Sequence, residues 1–144
     1  VVGGGLGTPP LYALSKLLIA KGKTPIVLLG FRTAKDVFYD DQFEELGCRT
    51  IVCTDDGTKG EKGVAALYAA NLEGQYDYFY ACGPEPMLRT LYSVCPTPGQ
   101  MSFEERMGCG FGACMGCTCQ TLYGNKRICV DGPVLSKEEI LWQN

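Results

Sequence analysis

The sequence predicts an α/β fold: a parallel sheet flanked by helices, followed by a small cysteine-rich, β-containing domain. Three observations carry that expectation. Apolar runs of strand length alternate with helical stretches over the first hundred residues, and continuous apolar strands joined by helices form parallel sheets covered on both faces. Glycine-rich turns stand at the carboxyl ends of three of these runs. Five of the nine cysteines crowd into residues 109–129, while the other four are scattered. That shift places a boundary at the Pro96-Thr97-Pro98-Gly99 turn, with one domain over 1–98 and a second over 99–144.

Each element has its own signal. Val1-Val2 reads as the end of a buried strand, shorter than the usual run of about five or six residues, so the natural chain is expected to begin upstream. Residues 3–7 (GGGLG) form a turn, and Thr8 is placed to cap a helix with proline in its first turn. Leu11, Leu14, Leu17 and Leu18 recur at helical spacing to about Lys21, and Gly22 stops the helix. Residues 25–29 (PIVLL) have the character of a buried strand. Residues 36–46 read as a helix ended by Gly47, 49–54 as a strand, and 64–72 as a helix. A strand over 77–82 and a helix over 84–94 complete the pattern. Cys48, Cys53 and Cys95 sit in or beside apolar segments and read as small core hydrophobes.

Composition narrows the chemistry. The chain has 144 residues, 46% of them hydrophobic and 20% charged, which suits a soluble globular protein of one domain plus a small appendage. The absence of histidine excludes a Ser-His-Asp triad, a Cys-His pair, histidine-bearing zinc fingers, a Rieske centre and a CxxCH haem box. A net charge of −3 argues against a nucleic-acid surface. No apolar run reaches the roughly 18 residues of a membrane span. The residues from Val1 onward are not expected to be a secretory signal, and the sequence does not begin with Met.

The first turn is expected to bring backbone N–H groups to a helix N-terminus, where a pyrophosphate binds. The literal dinucleotide fingerprint is incomplete: Thr8 stands where a third glycine would fall after Gly3 and Gly5, and the second strand ends in Gly30-Phe31-Arg32 rather than an acid. A plain tight turn remains the alternative. Two further loops share that sheet edge. One carries Asp55 and Asp56, which also suit simple turn chemistry. The other carries Cys82 and Gly83, where a following helix could lower the thiol pKa and where Cys82 could equally be a strand-end core residue.

The sharpest signal lies at residues 104–119 (EERMGCGFGACMGCTC). Cys109, Cys114 and Cys117 have the spacing C-x4-C-x2-C, and Cys129 supplies a distant fourth thiolate, the plant-type pattern for a two-iron, two-sulfur (2Fe-2S) cluster. Gly108, Gly110, Gly112 and Gly116 permit the tight path and leave N–H groups near sulfur. Cys119 is left over. A hairpin with its turn at Gly124-Asn125 is expected to carry Cys129 back to the loop. A zinc site made of four cysteines and a disulfide scaffold are the competing readings.

GGGLGTPPL, TDDGTKGEKG and CGPEPM, in this order, resemble the NAD-binding domain of ferredoxin reductase-like proteins, a Rossmann-like fold. ERMGCGFGACMGCTC with ICVDGPV resembles the cluster loop of class B dihydroorotate dehydrogenase electron-transfer subunits. The resemblance implies metal ligation by Cys109, Cys114, Cys117 and Cys129. It implies nucleotide phosphates along Gly3, Gly4, Gly5, Gly7 and Thr8, a catalytic position for Cys82 with Gly83 near the nicotinamide and flavin rings, and Asp55 and Asp56 near the nucleotide. It implies a 2Fe-2S cluster, FAD and NAD, and an FMN-containing catalytic subunit as partner in a cytoplasmic heterotetramer working in pyrimidine biosynthesis. The family's N-terminal FAD-binding barrel has no counterpart here, so a fragment is expected, not fully active alone. Arg32 could meet a 2′-phosphate, although the resemblance favours NAD. Two further functions stay in view: an iron-sulfur reductase subunit linking NAD(P)H to ferredoxin, sulfide or hydrogenase chemistry, and a zinc-stabilised interaction module.

Overall fold

The computed structural model of the chain describes residues 1–142. Strand β1 (Val2–Gly4) runs through a short 3-10 turn into helix α1 (Thr8–Ala20). Then come β2 (Ile26–Phe31), α2 (Asp40–Glu45), β3 (Arg49–Thr54), a two-residue strand β4 (Glu61–Lys62) and a short helix α3 (Ala65–Tyr68). β5 (Phe79–Cys82), α4 (Glu85–Val94) and β6 (Gly99–Ser102) follow. The cysteine loop leads into β7 (Thr118–Thr121), β8 (Gly124–Arg127), a single helical turn α5 (Ile128–Asp131) and β9 (Val134–Ser136).

Seven strands form one sheet in the order β4-β3-β2-β1-β5-β6-β9, and β7 and β8 form a separate two-stranded sheet, from which Thr121 makes an isolated antiparallel bridge to Ile140. All pairings in the large sheet are parallel except β6 with β9. Alternation along the strands sorts side chains between two cores. Val2, Leu28, Cys53 and Ala81 face Leu88 and Leu91 of α4 on one side, while Val27, Leu29 and Phe31 face Leu11 of α1 and Phe43 of α2 on the other. This two-sided cover is why the strands read as near-continuous apolar runs. Cys48, Cys53 and Cys95 are buried among these side chains, and burial pushes each thiol up.

Several local expectations need correction. Thr8 is not the cap of α1: Gly7 occupies that position, and Thr8 is already helical and fully buried. The helix expected over 36–46 begins only at Asp40. Tyr39 before it adopts a left-handed conformation (φ 69°), held by ring contacts of Tyr39 with Tyr12 at 5.2 Å and of Phe38 with Phe31 at 5.3 Å. The hairpin turn falls at Leu122-Tyr123, not Gly124-Asn125, because Thr121 pairs with Gly124. Thr121 Oγ1 donates to the Gly124 carbonyl and accepts from Tyr123 N–H, and Leu122 N–H is held by the Glu139 carbonyl.

Residues after the expected boundary at 98/99 do not stand apart from the sheet. β6 pairs with β5 from Phe79↔Gly99 to Cys82↔Ser102, and β9 closes the edge. Trp142 folds back against Tyr92 of α4 and Phe103, with the Arg89 guanidinium 4.8 Å from its ring. Among the described residues no helix is long and apolar enough to cross a membrane.

Candidate functional site

From β1 the chain winds outward to β2 and β3, then crosses back to β5 and β6. The reversal lies between β1 and β5, and ligands of open α/β sheets bind outside the carboxyl ends of the strands at such a point. There the first glycine turn meets the turn after Cys82. A Cβ at Gly7 would stand 2.1 Å from the Cys82 carbonyl oxygen, and one at Gly83 would stand 3.0 Å from Gly4 Cα. The two turns therefore pack backbone on backbone. A Cβ at Gly3 would meet Thr8 Oγ1 at 3.1 Å, whereas Gly5 (φ 51°) faces open space.

Helix α1 offers fewer donors than a helix N-terminus ordinarily does. Pro9 and Pro10 have no N–H, and the Thr8 N–H is taken by the Gly5 carbonyl. The N–H groups left at this point are those of the glycine turn itself. Thr8 Oγ1 is buried without a hydrogen-bond partner.

Asp55 and Asp56 follow β3, two strands from β1. Asp56 Oδ1 accepts from Thr58 N–H at 3.1 Å and Thr58 Oγ1 at 2.6 Å, and the Thr58 hydroxyl holds its carboxyl below the usual range. Thr58 Oγ1 also accepts from Ala34 N–H, and Lys59 pairs with Asp40 at the start of α2. The loop is thus braced across two strand ends.

Cys82 lies half-buried beside Ser102 on the neighbouring strand. Burial pushes its thiol up, against the pull of the Ser102 hydroxyl. The lowering that a following helix could supply is not seen: the thiol is raised from its ordinary value of 9.0, chiefly by desolvation, so Cys82 is a neutral thiol at pH 7. Next to it a cavity of about 340 Å³ opens between Gly83, Pro84 and Glu85 on one side and residues 103–106 on the other. A second cavity, of about 330 Å³, lies at the amino ends of the strands around Val1, Pro25 and Tyr78, remote from these turns.

The cysteine loop leaves the sheet after β6. Cys114 N–H donates to Cys109 Sγ at 3.4 Å, and the Phe111 and Ala113 N–H groups point at the same sulfur. Together they hold the Cys109 thiol down to about 6. Gly116 N–H donates to Cys114 Sγ at 3.4 Å. Met115 takes a left-handed conformation (φ 60°), which turns the chain so that its carbonyl caps Thr118. Cys117 Sγ lies 3.3 Å from Cys129 Sγ and also accepts from Cys129 N–H at 3.5 Å. The backbone donor holds Cys117 down, and the neighbouring sulfur pushes Cys129 up.

The thiols therefore stand as two pairs, Cys109 with Cys114 and Cys117 with Cys129, close enough for charge on Cys109 to raise Cys129. Among the described residues no three metal-binding side chains close around a single point. A binuclear cluster is held by four thiolates, and two thiol pairs with N–H groups aimed at sulfur fit that need. Cys119 is elsewhere: its Sγ is directed at the Gln120 carbonyl, and burial pushes its thiol up.

Arg127 was not singled out by the sequence. Its Nη1 donates to the Gly112 carbonyl at 3.0 Å, and its N–H and Nε reach Asp131 Oδ2 at 2.7 and 3.5 Å. The available signal was a cation two residues before Cys129 and four before an acid.

Residues 104–141 match the iron-sulfur cluster binding domain of dihydroorotate dehydrogenase B. The electron transfer subunit of dihydroorotate dehydrogenase B (NAD(+)) from Bacillus pumilus is 46% identical, over 97% of this chain and 55% of its own length. Over nearly its whole length the chain is similar to the electron transfer subunits of dihydroorotate dehydrogenase B. The subunit of that name from Bacillus caldolyticus is likewise 46% identical, over 98% of this chain and 56% of its own length. The chain thus spans about half the length of the relatives it matches. Among solved structures, one described as an NADH-dependent reduced ferredoxin-NADP oxidoreductase superposes with a TM-score of 0.84 at 32% identity, covering 98% of this chain and 52% of the other. Full-length CYP116B46 from Tepidiphilus thermophilus superposes at 0.57 with 15% identity, over 96% of this chain and 27% of the other, a likeness of fold alone. The α/β fold read from the sequence is the ferredoxin reductase-like one.

Proposed function

We propose that this chain is the nucleotide- and cluster-binding part of an electron-transfer subunit of dihydroorotate dehydrogenase B. The observation that carries the proposal is the pairing of four cysteines beside a ferredoxin reductase-like sheet. Cys109, Cys114, Cys117 and Cys129 would hold a 2Fe-2S cluster, which supplies single-electron transfer when bound. Gly3, Gly4, Gly5, Gly7 and Thr8 would line the phosphates of NAD. Cys82, a neutral thiol, and Gly83 would border the nicotinamide and the flavin ring of FAD, with the adjoining cavity as room for them. Asp55 and Asp56 would face the nucleotide from the end of β3. Residues 1–98 would serve as the nucleotide unit and 99–144 as the cluster unit, built on one shared sheet. The partner would be an FMN-containing catalytic subunit in a cytoplasmic heterotetramer of pyrimidine biosynthesis, with electrons leaving dihydroorotate for NAD. We read the chain alone as not fully active.

The likeness to a ferredoxin-NADP oxidoreductase favours a second reading, a reductase subunit serving ferredoxin. The four thiolates serve both readings, so partner and substrate decide between them. The full-length protein, purified without oxygen together with the catalytic subunit, should be brown, hold about two irons and two sulfides per chain, and reduce NAD with dihydroorotate. A colourless protein with one zinc would sink both readings. A loaded cluster with ferredoxin reduction and no orotate formed would favour the second.

A further inference from the structure

Arg127 makes an i,i+4 contact with Asp131 at 3.5 Å, with both side chains about a third exposed. Such a pair contributes little by itself. The same guanidinium also reaches fifteen residues back along the chain, and its Nη1 donates to the Gly112 carbonyl at 3.0 Å in a part-buried contact. Gly112 is closed in around this contact. It has φ 91°, and a Cβ there would stand 2.7 Å from Val130 Cγ2 and 3.0 Å from Arg127 Nη1.

Gly112 sits between the two thiol pairs. Its N–H points at Cys129, and the next N–H, of Ala113, points at Cys109. The Gly112 carbonyl and the Ala113 N–H belong to one peptide group. A cation bonded to that carbonyl polarises the peptide and strengthens its N–H as a donor, since hydrogen bonds in a chain reinforce one another. The line of contacts runs from the Arg127 guanidinium through the Gly112–Ala113 peptide to the Cys109 sulfur. Asp131 fixes the start of that line by holding Nε and the backbone N–H of Arg127.

We infer that Arg127 is a positioning residue for the cluster, orienting the Gly112–Ala113 peptide toward the ligand sulfurs and biasing the cluster toward its reduced state. The inference rests on the proposed ligation by Cys109, Cys114, Cys117 and Cys129. Reduction adds one electron, and therefore one negative charge, at the cluster. A nearby cation and strengthened N–H···S bonds both favour the more negative state. Lysine at 127 would keep the charge, but its single nitrogen cannot reproduce the fork that spans Gly112 and Asp131.

The test uses the full-length subunit with its partner. Wild type, Arg127→Met and Arg127→Lys are compared by redox titration of the cluster spectrum and by the rate of iron loss to a chelator. Arg127→Met is expected to weaken reduction roughly tenfold, about 59 mV for a one-electron couple, and to lose iron faster. Arg127→Lys is expected to shift the same way by less. If Arg127→Met retains no cluster, Arg127→Lys carries the measurement. Folded protein that loads neither variant supports the positioning role in its extreme form. A wild-type potential in every variant that holds a full cluster overturns the inference. A wild type without iron instead overturns the ligation on which it rests, so the two failures are distinct.

Discussion

Gly7 lies against the carbonyl of Cys82 so closely that a Cβ would come to 2.1 Å of the oxygen. Both partners are backbone, so neither can swing aside. Gly7→Ala is expected to destabilise the protein by about 1–3 kcal/mol, the range for overpacking, and to separate the two turns at the switch point. Gly5→Ala meets no neighbour and has only the left-handed backbone (φ 51°) to oppose it, about 1–2 kcal/mol. Denaturant midpoints of both variants check this. NAD affinity should fall for Gly7→Ala while the visible cluster spectrum stays unchanged.

The sulfur pairs predict an asymmetric cysteine scan. Serine at 109, 114, 117 or 129 removes one thiolate from a pair and should abolish or sharply reduce iron and sulfide content. Serine at 119 should leave both near wild type, since Cys119 is directed at the Gln120 carbonyl. Iron and sulfide analysis of five single variants settles the assignment, and loss of cluster in Cys119→Ser with retention in Cys129→Ser would reverse it.

Thiol reactivity in cluster-free protein should follow pH in two classes. N–H donors hold Cys109 down to about 6, whereas burial pushes Cys82 and Cys119 up from the ordinary value of 9.0. Alkylation at pH 7 should therefore label Cys109 first, with a rate midpoint about pH 6, and spare Cys82 and Cys119. The sign for stability follows. A thiol held lower in the folded state than in the unfolded one stabilises the fold fully above about pH 9. That contribution declines as pH falls and is gone once it passes below about 6. Peptide mapping after timed alkylation reads the first effect. Urea midpoints of cluster-free wild type and Cys109→Ser between pH 6 and 9 read the second: their difference should narrow toward pH 6.

Met115 holds a left-handed conformation without being glycine. Met115→Gly should load the cluster at least as well as wild type. Met115→Val places a branched Cβ where φ is positive, which is strained, and should slow cluster assembly several-fold. Reconstitution with iron and sulfide, followed by absorbance, distinguishes the two; equal rates would mean that the turn is set elsewhere.

Much of the fold was legible because local pattern and tertiary environment agreed. The run Arg49–Thr54 has six residues of strand character and is a strand of those bounds. Residues 36–46 failed because their aromatic side chains serve contacts that helical periodicity cannot register: Tyr39 packs at a tilt against Tyr12, and Phe38 packs edge-on against Phe31. The hairpin failed for a related reason. Gly124-Asn125 is a good turn dipeptide, but Thr121 and Leu122 are held by Ile140 and Glu139 of the chain's last segment, which moves the turn two residues earlier.

The sequence by itself determined the alternation of strands and helices, the three turns at one sheet edge and the C-x4-C-x2-C spacing. All of these are encoded by neighbouring residues, through side-chain periodicity and backbone freedom. Only the tertiary structure decided which thiols pair, that Cys82 stays protonated, and that two strands after residue 98 complete the first sheet. It also decided that Arg127 reaches Gly112. These depend on burial and on contacts between residues far apart in the chain, which no local pattern carries.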